Sequence, residues 1–190
     1  ALIAIGAAHI AWGKPMLCNG ANLAYRKNIL QSFDYRENKA SGDDIYLMQH
    51  VHATSLEGIC FNKKQDAMVM TSGPQHFREF LNQRIRWASK NGDYDLKQNT
   101  RVLAFVWLYN LVILLSFLSF SSLGCTAAAL LVVLKVLAED KFYSSFSSFF
   151  SLLGWFKTIL IGQPFHIMYM AILPPLSQVL KYQWKERKLK

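Results

Sequence analysis

The chain has 190 residues, of which 52% are hydrophobic, and it carries 21 Lys and Arg residues against 12 Asp and Glu residues, for a formal net charge of +9. This apolar content excludes a disordered or fibrous chain. Much of the positive excess lies beside apolar segments, where anionic lipid is a nearer partner than nucleic acid, so we expect no nucleic-acid partner.

The composition changes at about residue 101. Residues 1–101 mix charged and apolar side chains as a soluble domain does, whereas residues 102–180 are poor in charge and rich in Leu, Phe and Ser. The apolar residues 1–10 lack the basic region and the cleavage site of a secretory signal. We therefore expect residues 1–101 to be the C-terminal part of a domain that begins upstream, followed by membrane segments.

The soluble part is predicted to contain both strands and helices. Two short apolar runs, residues 59–61 and 67–70, are separated by a polar turn and are typical of strands. A helix is expected to begin at Ser41-Gly42-Asp43-Asp44, because Ser and Asp cap helix N-termini. A second helix is expected after Pro74, a residue that suits the first helical position.

The helix after Pro74 is predicted to have two different faces. Its apolar positions share one face: Phe77, Leu81, Ile85 and Ala88. Gln83, Arg86 and Trp87 are three and four positions apart, so their side chains converge on the opposite face. Two interpretations are open for this patch. It binds a substrate, or it is an interfacial patch whose Arg and Trp rest on lipid headgroups.

The membrane part is predicted to begin with a helical hairpin at residues 102–138, because its uncharged run is too long for one straight span. Lys135, near the end of the hairpin, is expected to extend to the membrane interface. Residues 139–157 repeat Phe and Ser at helical spacing and predict an interfacial amphipathic helix. Residues 158–180 contain proline and are either a crossing or a re-entrant segment. A basic tail, residues 181–190, ends the chain.

Three motifs occur in order ahead of the apolar segments. They are Met-Leu-Cys-Asn-Gly-Ala-Asn-Leu-Ala-Tyr-Arg-Lys at residues 16–27, Ser41-Gly42-Asp43-Asp44, and Gln83-Arg84-Ile85-Arg86-Trp87. This set resembles the C-terminal half of membrane-bound family 2 glycosyltransferases, and it is similar in these parts to cellulose and hyaluronan synthases. The resemblance implies an α/β fold, the C-terminal part of a nucleotide-sugar glycosyltransferase domain of the GT-A type, followed by α-helical transmembrane segments.

The resemblance also assigns roles to single residues. Asp44 matches the general base that takes the proton from the acceptor hydroxyl in an inverting displacement. Asp43 beside it is expected in the substrate site, although it departs from the Glu often found there. Gln83 and Arg86 match positions that contact the pyrophosphate, and Trp87 matches an aromatic residue that stacks on the acceptor sugar. Taken alone, Asp43 and Asp44 would be typical of the first turn of a surface helix.

The remaining assignments concern the acceptor and the metal. Cys18 lies where related synthases have a cysteine at the acceptor end, and it is equally interpreted as a small buried residue. Residues 19–22 are expected beside the donor–acceptor junction. The resemblance implies a divalent metal, Mg²⁺ or Mn²⁺, whose Asp-x-Asp ligands are expected upstream, so this chain alone is not expected to turn over. We expect no metal site at His50, His52 or His166.

These observations predict a membrane-anchored inverting glycosyltransferase that transfers a sugar from a nucleotide-diphosphate sugar to a glycan or a lipid-linked acceptor. Its predicted location is the cytoplasmic membrane, with the catalytic part facing the cytosol. The three cysteines agree with a reduced compartment, because they have no zinc-type or C-x-x-C spacing. The alternative from another class is a membrane transport or scaffold protein whose basic surface binds lipid.

Overall fold

The computed structural model describes residues 2–33, 42–54, 58–89, 97–151, 154–180, 182–184 and 187–189. This part of the chain is mainly helical. Its α-helices are α1 (Leu2–Ala11), α2 (Asp43–Thr54), α3 (Phe77–Ala88), α4 (Lys97–Leu118), α5 (Ser122–Ser144) and α6 (Trp155–Val179). Short 3-10 helices occur at Gly20–Asn22, Lys27–Gln31 and Gln65–Ala67. Two short antiparallel strands, β1 (Tyr182–Trp184) and β2 (Arg187–Leu189), follow α6.

The predicted α/β fold is wrong for the part of the chain that the structure describes. The runs at residues 59–61 and 67–70, which predict strands, form loops and part of the 3-10 helix Gln65–Ala67. Val69 and Met70 in the second run are 54% and 90% exposed. A strand is stabilised by pairing with a neighbouring strand and by burying one face, and these short runs do neither. The described residues between 2 and 89 therefore do not form a GT-A domain.

Three helices are long and apolar enough to cross a membrane. They span Thr100–Leu118, Ser122–Ser144 and Trp155–Val179, and each has 19 or more residues. A hydrocarbon core of about 30 Å requires about 20 residues of helix. Their outer faces carry large apolar side chains, for example Phe105 at 68% exposure and Ile161 at 73%. These features indicate a membrane protein.

Helices α4 and α5 form a hairpin that α6 packs against. A short turn at residues 119–121 joins the two, and Ser121 caps α5 by accepting a hydrogen bond from the Gly124 N–H at 3.0 Å. Ile113 and Ala128, which are both fully buried, pack with Ile167 from α6. Polar groups at the ends of large side chains also form hydrogen bonds between the helices. Among them, the Trp107 indole donates to the carbonyl oxygen of Ala171 at 3.0 Å.

Helix α6 is continuous from Trp155 to Val179 although it contains Pro164, Pro174 and Pro175. Of the two predictions for residues 158–180, the structure therefore has an uninterrupted helix and not a re-entrant hairpin. Proline removes a backbone N–H and frees a carbonyl oxygen, which a membrane helix must satisfy from another source. Pro175 frees the carbonyl oxygen of Ala171, four residues before it, and this oxygen accepts a hydrogen bond from the Trp107 indole of α4 at 3.0 Å.

The segment predicted to be an interfacial helix, residues 139–157, is divided among three features. Its first residues continue α5 as far as Ser144, residues 145–151 form turns, and its last residues begin α6. Residues 152 and 153 lie outside the described residues. The Phe146 ring lies against the rings of Phe142 and Phe150, with centroids 4.9 Å and 5.8 Å away. An aromatic cluster therefore links the end of α5 to the turns that follow it.

Candidate functional site

Helix α1 holds the segment that contains Cys18. Gly6 in α1 is buried, and a Cβ atom at this position would lie 2.9 Å from the carbonyl oxygen of Leu17. Side-chain carbons do not approach other atoms this closely, so the contact requires a glycine. Met16, two residues before Cys18, is only 4% exposed. The segment that leads to Cys18 is therefore packed in a defined position.

Asp44 lies in the first turn of α2. The chain enters this helix through Gly42, whose φ of 100° lies in the region that favours glycine. The Asp44 Oδ2 atom accepts a hydrogen bond from the Gly20 N–H at 2.8 Å, and Oδ1 accepts one from the Ile45 N–H at 2.9 Å. A carboxylate offers about four acceptor positions, so two remain for another donor. Ser41, the predicted cap of this helix, lies outside the described residues.

Cys18 is near enough to Asp44 for the two groups to interact electrostatically. Burial raises the pKa of the Cys18 thiol from 9.0 to about 12, and the charge of Asp44 contributes to this rise. The thiol is therefore protonated at physiological pH and is not a thiolate nucleophile. A neutral thiol agrees with both predicted interpretations of Cys18, an acceptor-side group and a small buried residue.

The 3-10 helix Gly20–Asn22 is held at both ends. The Asn19 side-chain oxygen accepts a hydrogen bond from the Ala21 N–H at 3.1 Å. The Asn22 side-chain amide donates to the carbonyl oxygen of Ala67 at 2.7 Å, which links this segment to residues 65–67. The sequence motif contains both asparagines, but the partner at Ala67 is 45 positions away and the pattern of residues alone does not identify it.

Helix α3 packs on α6 through the apolar face that the sequence predicts, with one exception. Ile85 and Ala88 form a small core with Leu173 of α6, and Leu81 packs against it. Phe77, assigned to the same face, is 74% exposed, because it is the first residue of α3 and extends beyond the contact. Since α6 is one of the helices that can cross a membrane, this packing holds the Gln83-Arg84-Ile85-Arg86-Trp87 motif beside the membrane segments.

Arg84 is a member of this motif to which the sequence interpretation gave no role. Its guanidinium group lies 4.7 Å from the centroid of the Trp87 ring and 5.0 Å from that of the Phe80 ring. It also lies close to the side chain of Tyr169 on α6. Cation–π contacts at these distances are worth about 0.5–2 kcal/mol. Arg84 therefore orients Trp87 and connects the motif to α6. The signal in the sequence is the spacing of Phe80, Arg84 and Trp87, which are four and three positions apart.

The predicted site residues form two groups. Cys18 and Asp44 come together through the Gly20 turn, and Asp43 beside them is exposed. Gln83 and Arg86 are half-buried on α3 next to Trp87, which is 39% exposed. In the described part of the chain, the α-helix against which α3 packs extensively is α6. Helices α2 and α3 do not pack extensively against each other.

The described residues do not supply a metal site. No group of three or more His, Cys, Asp or Glu side chains in that part of the chain is arranged to hold a metal ion. Both oxygens of Asp44 accept backbone hydrogen bonds, and His50 contacts the Ser32 hydroxyl through Nε2 at 3.1 Å. The Mg²⁺ or Mn²⁺ that the resemblance implies is expected to have its ligands upstream, so these residues do not test it, and no chemical step below passes through a metal.

A polar cluster inside the membrane helices was not predicted. Lys135 on α5 is 8% exposed, and its ammonium group contacts Glu139, Gln163 and His166 at 2.8, 2.6 and 2.9 Å. The expectation for Lys135, that it extends to the interface, did not include this buried contact between α5 and α6. His166, at which no metal site is expected, contributes to the cluster through Nδ1. The sequence contains a signal for this cluster. Lys135 and Glu139 are four positions apart and Gln163 and His166 are three apart, so each pair lies on one helix face.

Comparison of the chain with protein-family models, with curated proteins and with solved structures finds no match. The resemblance to family 2 glycosyltransferases therefore rests on the three motifs and their order in the sequence.

Proposed function

We propose that this chain acts in a membrane-anchored inverting glycosyltransferase, which transfers a sugar from a nucleotide-diphosphate sugar to a glycan or a lipid-linked acceptor. The observation that carries the proposal is the hydrogen bond between Gly20 and Asp44, with the Cys18 thiol beside it. Gly20 and Asp44 are 24 positions apart and come from two motifs, both assigned to the acceptor end of such a site. Their meeting in space is expected of a shared site.

In the proposed reaction the Asp44 carboxylate accepts the proton of the acceptor hydroxyl. The hydroxyl oxygen then forms a bond to the anomeric carbon of the donor sugar, while the bond from that carbon to the diphosphate oxygen breaks with its electron pair. The products are the glycosylated acceptor, with inverted configuration, and a nucleoside diphosphate. The two acceptor positions that remain on the Asp44 carboxylate are sufficient for one hydroxyl proton.

The motif on α3 is proposed to bind the donor and the acceptor. Gln83 and Arg86 supply N–H donors for the pyrophosphate oxygens, for which the planar guanidinium fork is well suited. Trp87 offers a ring face to the apolar side of the acceptor sugar, and Arg84 fixes the orientation of that ring. The packing of α3 on α6 supports this proposal, because it holds these groups beside a helix that can cross a membrane and so within reach of a lipid-linked acceptor.

The experiment that tests the proposal is a screen of nucleotide-sugar turnover by the full-length protein in nanodiscs, with release of nucleoside diphosphate as the measurement. Arg86→Lys is the informative variant, because it keeps the positive charge and the attraction to lipid but loses the two-pronged phosphate contact. We expect at least about a tenfold loss of turnover, or about 1.4 kcal/mol, with membrane association unchanged. Full activity of this variant would contradict phosphate recognition by α3.

A second candidate function is membrane transport, or a scaffold with a lipid-binding surface. The observation that favours it is the buried cluster of Lys135, Glu139, Gln163 and His166, because ionisable groups inside membrane helices often mark a path for ions or substrates. The same screen, combined with a flux assay in proteoliposomes, separates the two proposals. Turnover of a nucleotide sugar favours the enzyme, and flux of a solute in proteoliposomes without any turnover favours transport.

A further inference from the structure

The Gly20 turn, residues 19–22, lies directly against the side chain of Asp44. The Gly20 N–H donates to Asp44 Oδ2 at 2.8 Å. A Cβ atom on Gly20 would lie 3.4 Å from the same oxygen and 3.6 Å from the Asp44 Cβ atom, which is van der Waals contact. A hydrogen bond and close packing therefore join the two residues, so the position of the Asp44 carboxylate depends on where the Gly20 turn is held.

The Gly20 turn is held by a side chain and not by a core. None of the residues of its 3-10 helix, Gly20–Asn22, is buried. The Asn19 oxygen accepts from the Ala21 N–H at 3.1 Å, and this bond within the turn fixes its shape but not its place. The Asn22 side chain leaves the turn and donates to the carbonyl oxygen of Ala67 at 2.7 Å, which is 45 positions away. Asn22 thus ties the turn to a distant segment.

The segment that receives this hydrogen bond is itself tied to the membrane helices. Ala67 ends the 3-10 helix Gln65–Ala67, and the Gln65 side-chain amide donates to the carbonyl oxygen of Phe149 at 3.4 Å. Phe149 lies in the turns between α5 and α6. A chain of hydrogen bonds therefore runs from the Gly20 turn, through residues 65–67, to the connection between these two helices.

We propose that Asn22 is a positioning residue for the Asp44 base: its hydrogen bond to Ala67 fixes the Gly20 turn, and the turn fixes the carboxylate. The inference rests on the proposed function, in which Asp44 takes the acceptor proton. A base must lie within hydrogen-bond reach of that proton, and a displacement of about 1 Å can cost about 10²-fold in rate. Loss of the Asn22 bond should therefore lower kcat and leave nucleotide-sugar binding unchanged, because the residues proposed to bind the pyrophosphate lie on α3.

The same substitution at two exposed asparagines gives a matched pair of variants. Asn22→Asp removes the amide donor and places an oxygen opposite the carbonyl oxygen of Ala67. Asn62→Asp adds the same charge but keeps the oxygen that accepts from the Lys64 N–H at 3.0 Å. Asn22→Ser is a second test variant, because its shorter side chain moves the donor away from Ala67 without adding a charge.

The first measurement is hydrogen–deuterium exchange of the Gly20 amide in the full-length protein in nanodiscs, which does not depend on activity. This amide should exchange at least about fivefold faster in Asn22→Asp and Asn22→Ser than in wild type, because a turn that is not tied opens more often. In Asn62→Asp it should exchange at the wild-type rate. Equal exchange in wild type and in both Asn22 variants would overturn the proposal.

The second measurement is the steady-state kinetics of the same proteins with the nucleotide sugar found in the screen, followed as release of nucleoside diphosphate. We expect both Asn22 variants to lower kcat about 10- to 100-fold, with KM for the nucleotide sugar within about twofold of wild type. Asn62→Asp should have normal kinetics. A kcat within about twofold of wild type for both Asn22 variants, or an equal loss in Asn62→Asp, would contradict the positioning role. If the wild-type protein turns over no nucleotide sugar, the proposed function fails, whereas exchange at Gly20 still decides whether Asn22 holds the turn.

Discussion

Replacing Lys135 with Met should destabilise the contact between α5 and α6 by about 2 kcal/mol. Polar contacts between membrane helices average about 0.6 kcal/mol and reach about 1.7 kcal/mol, so the two contacts of the ammonium group that reach α6, with Gln163 and His166, supply roughly 1–3 kcal/mol. The substitution also leaves the Glu139 carboxylate, which is 26% exposed, without its cation. Met fills much of the space of the Lys side chain, so loss of packing adds little.

The assay is equilibrium unfolding in mixed micelles, with helicity as the measured signal. Lys157→Met is the matched control, because Lys157 is an exposed lysine on α6, and its effect should stay within about 0.5 kcal/mol. Glu139→Gln should be destabilising alone, and it should recover at least about 1 kcal/mol when combined with Lys135→Met. A change below about 0.5 kcal/mol for Lys135→Met, or simple additivity in the double variant, would refute the cluster as a stabilising unit.

Two further predictions concern the segment around Cys18. Gly6→Ala should lower the free energy of unfolding by about 1–3 kcal/mol, because the new Cβ would lie 2.9 Å from the Leu17 carbonyl oxygen. The measurement is thermal unfolding, and the control is Gly73→Ala, whose Cβ would meet no atom within 4 Å. The Cys18 thiol should resist alkylation at pH 8, since a pKa of about 12 leaves a thiolate fraction of about one in ten thousand. Its rate should rise through pH 10, whereas the exposed Cys60 should react readily at pH 8; equal rates would contradict the burial of Cys18.

The membrane helices were predictable because a helix in lipid must satisfy its backbone internally and present an apolar surface throughout. Both requirements are visible in the sequence as long uncharged runs, such as the one that ends just before Lys135. The structure agrees to the extent that three helices are long and apolar enough to cross a membrane. The continuity of α6 was harder to predict, because the effect of Pro175 depends on a partner from another helix, the Trp107 indole that donates to the carbonyl oxygen of Ala171.

The predicted strands show where sequence patterns mislead. Residues 59–61 and 67–70 contain suitable residue types, but a strand exists only if a neighbour pairs with it, and that neighbour is set by the whole fold. The α/β prediction also depended on the family resemblance, which carries motifs and not the contacts around them. The exposed side chain of Met70 shows that its run has no core to cover.

The candidate site was predictable in part. Helical spacing alone puts Gln83, Arg86 and Trp87 on one face. The hydrogen bond from the Gly20 N–H to Asp44 was not predictable in this way. It joins the start of α2 to a turn through a backbone N–H, and the pattern of side chains in the sequence does not reveal such a donor. The Lys135 cluster was overlooked because a lysine near a helix end is ordinarily solvated, and only packing of α6 against α5 buries it.

The central claim is that the Asp44 carboxylate is the base in sugar transfer. Its most direct test is the rate of sugar transfer by the full-length Asp44→Asn variant, because the amide oxygen can still accept from the Gly20 N–H but the side chain cannot take up the acceptor proton. We predict a loss of about 10²–10⁴ in rate with nucleotide-sugar binding nearly unchanged, and a near-normal rate for the control Asp43→Asn. Retention of more than about half the wild-type rate by Asp44→Asn would contradict the claim and leave Asp44 as a structural link between α2 and the Gly20 turn.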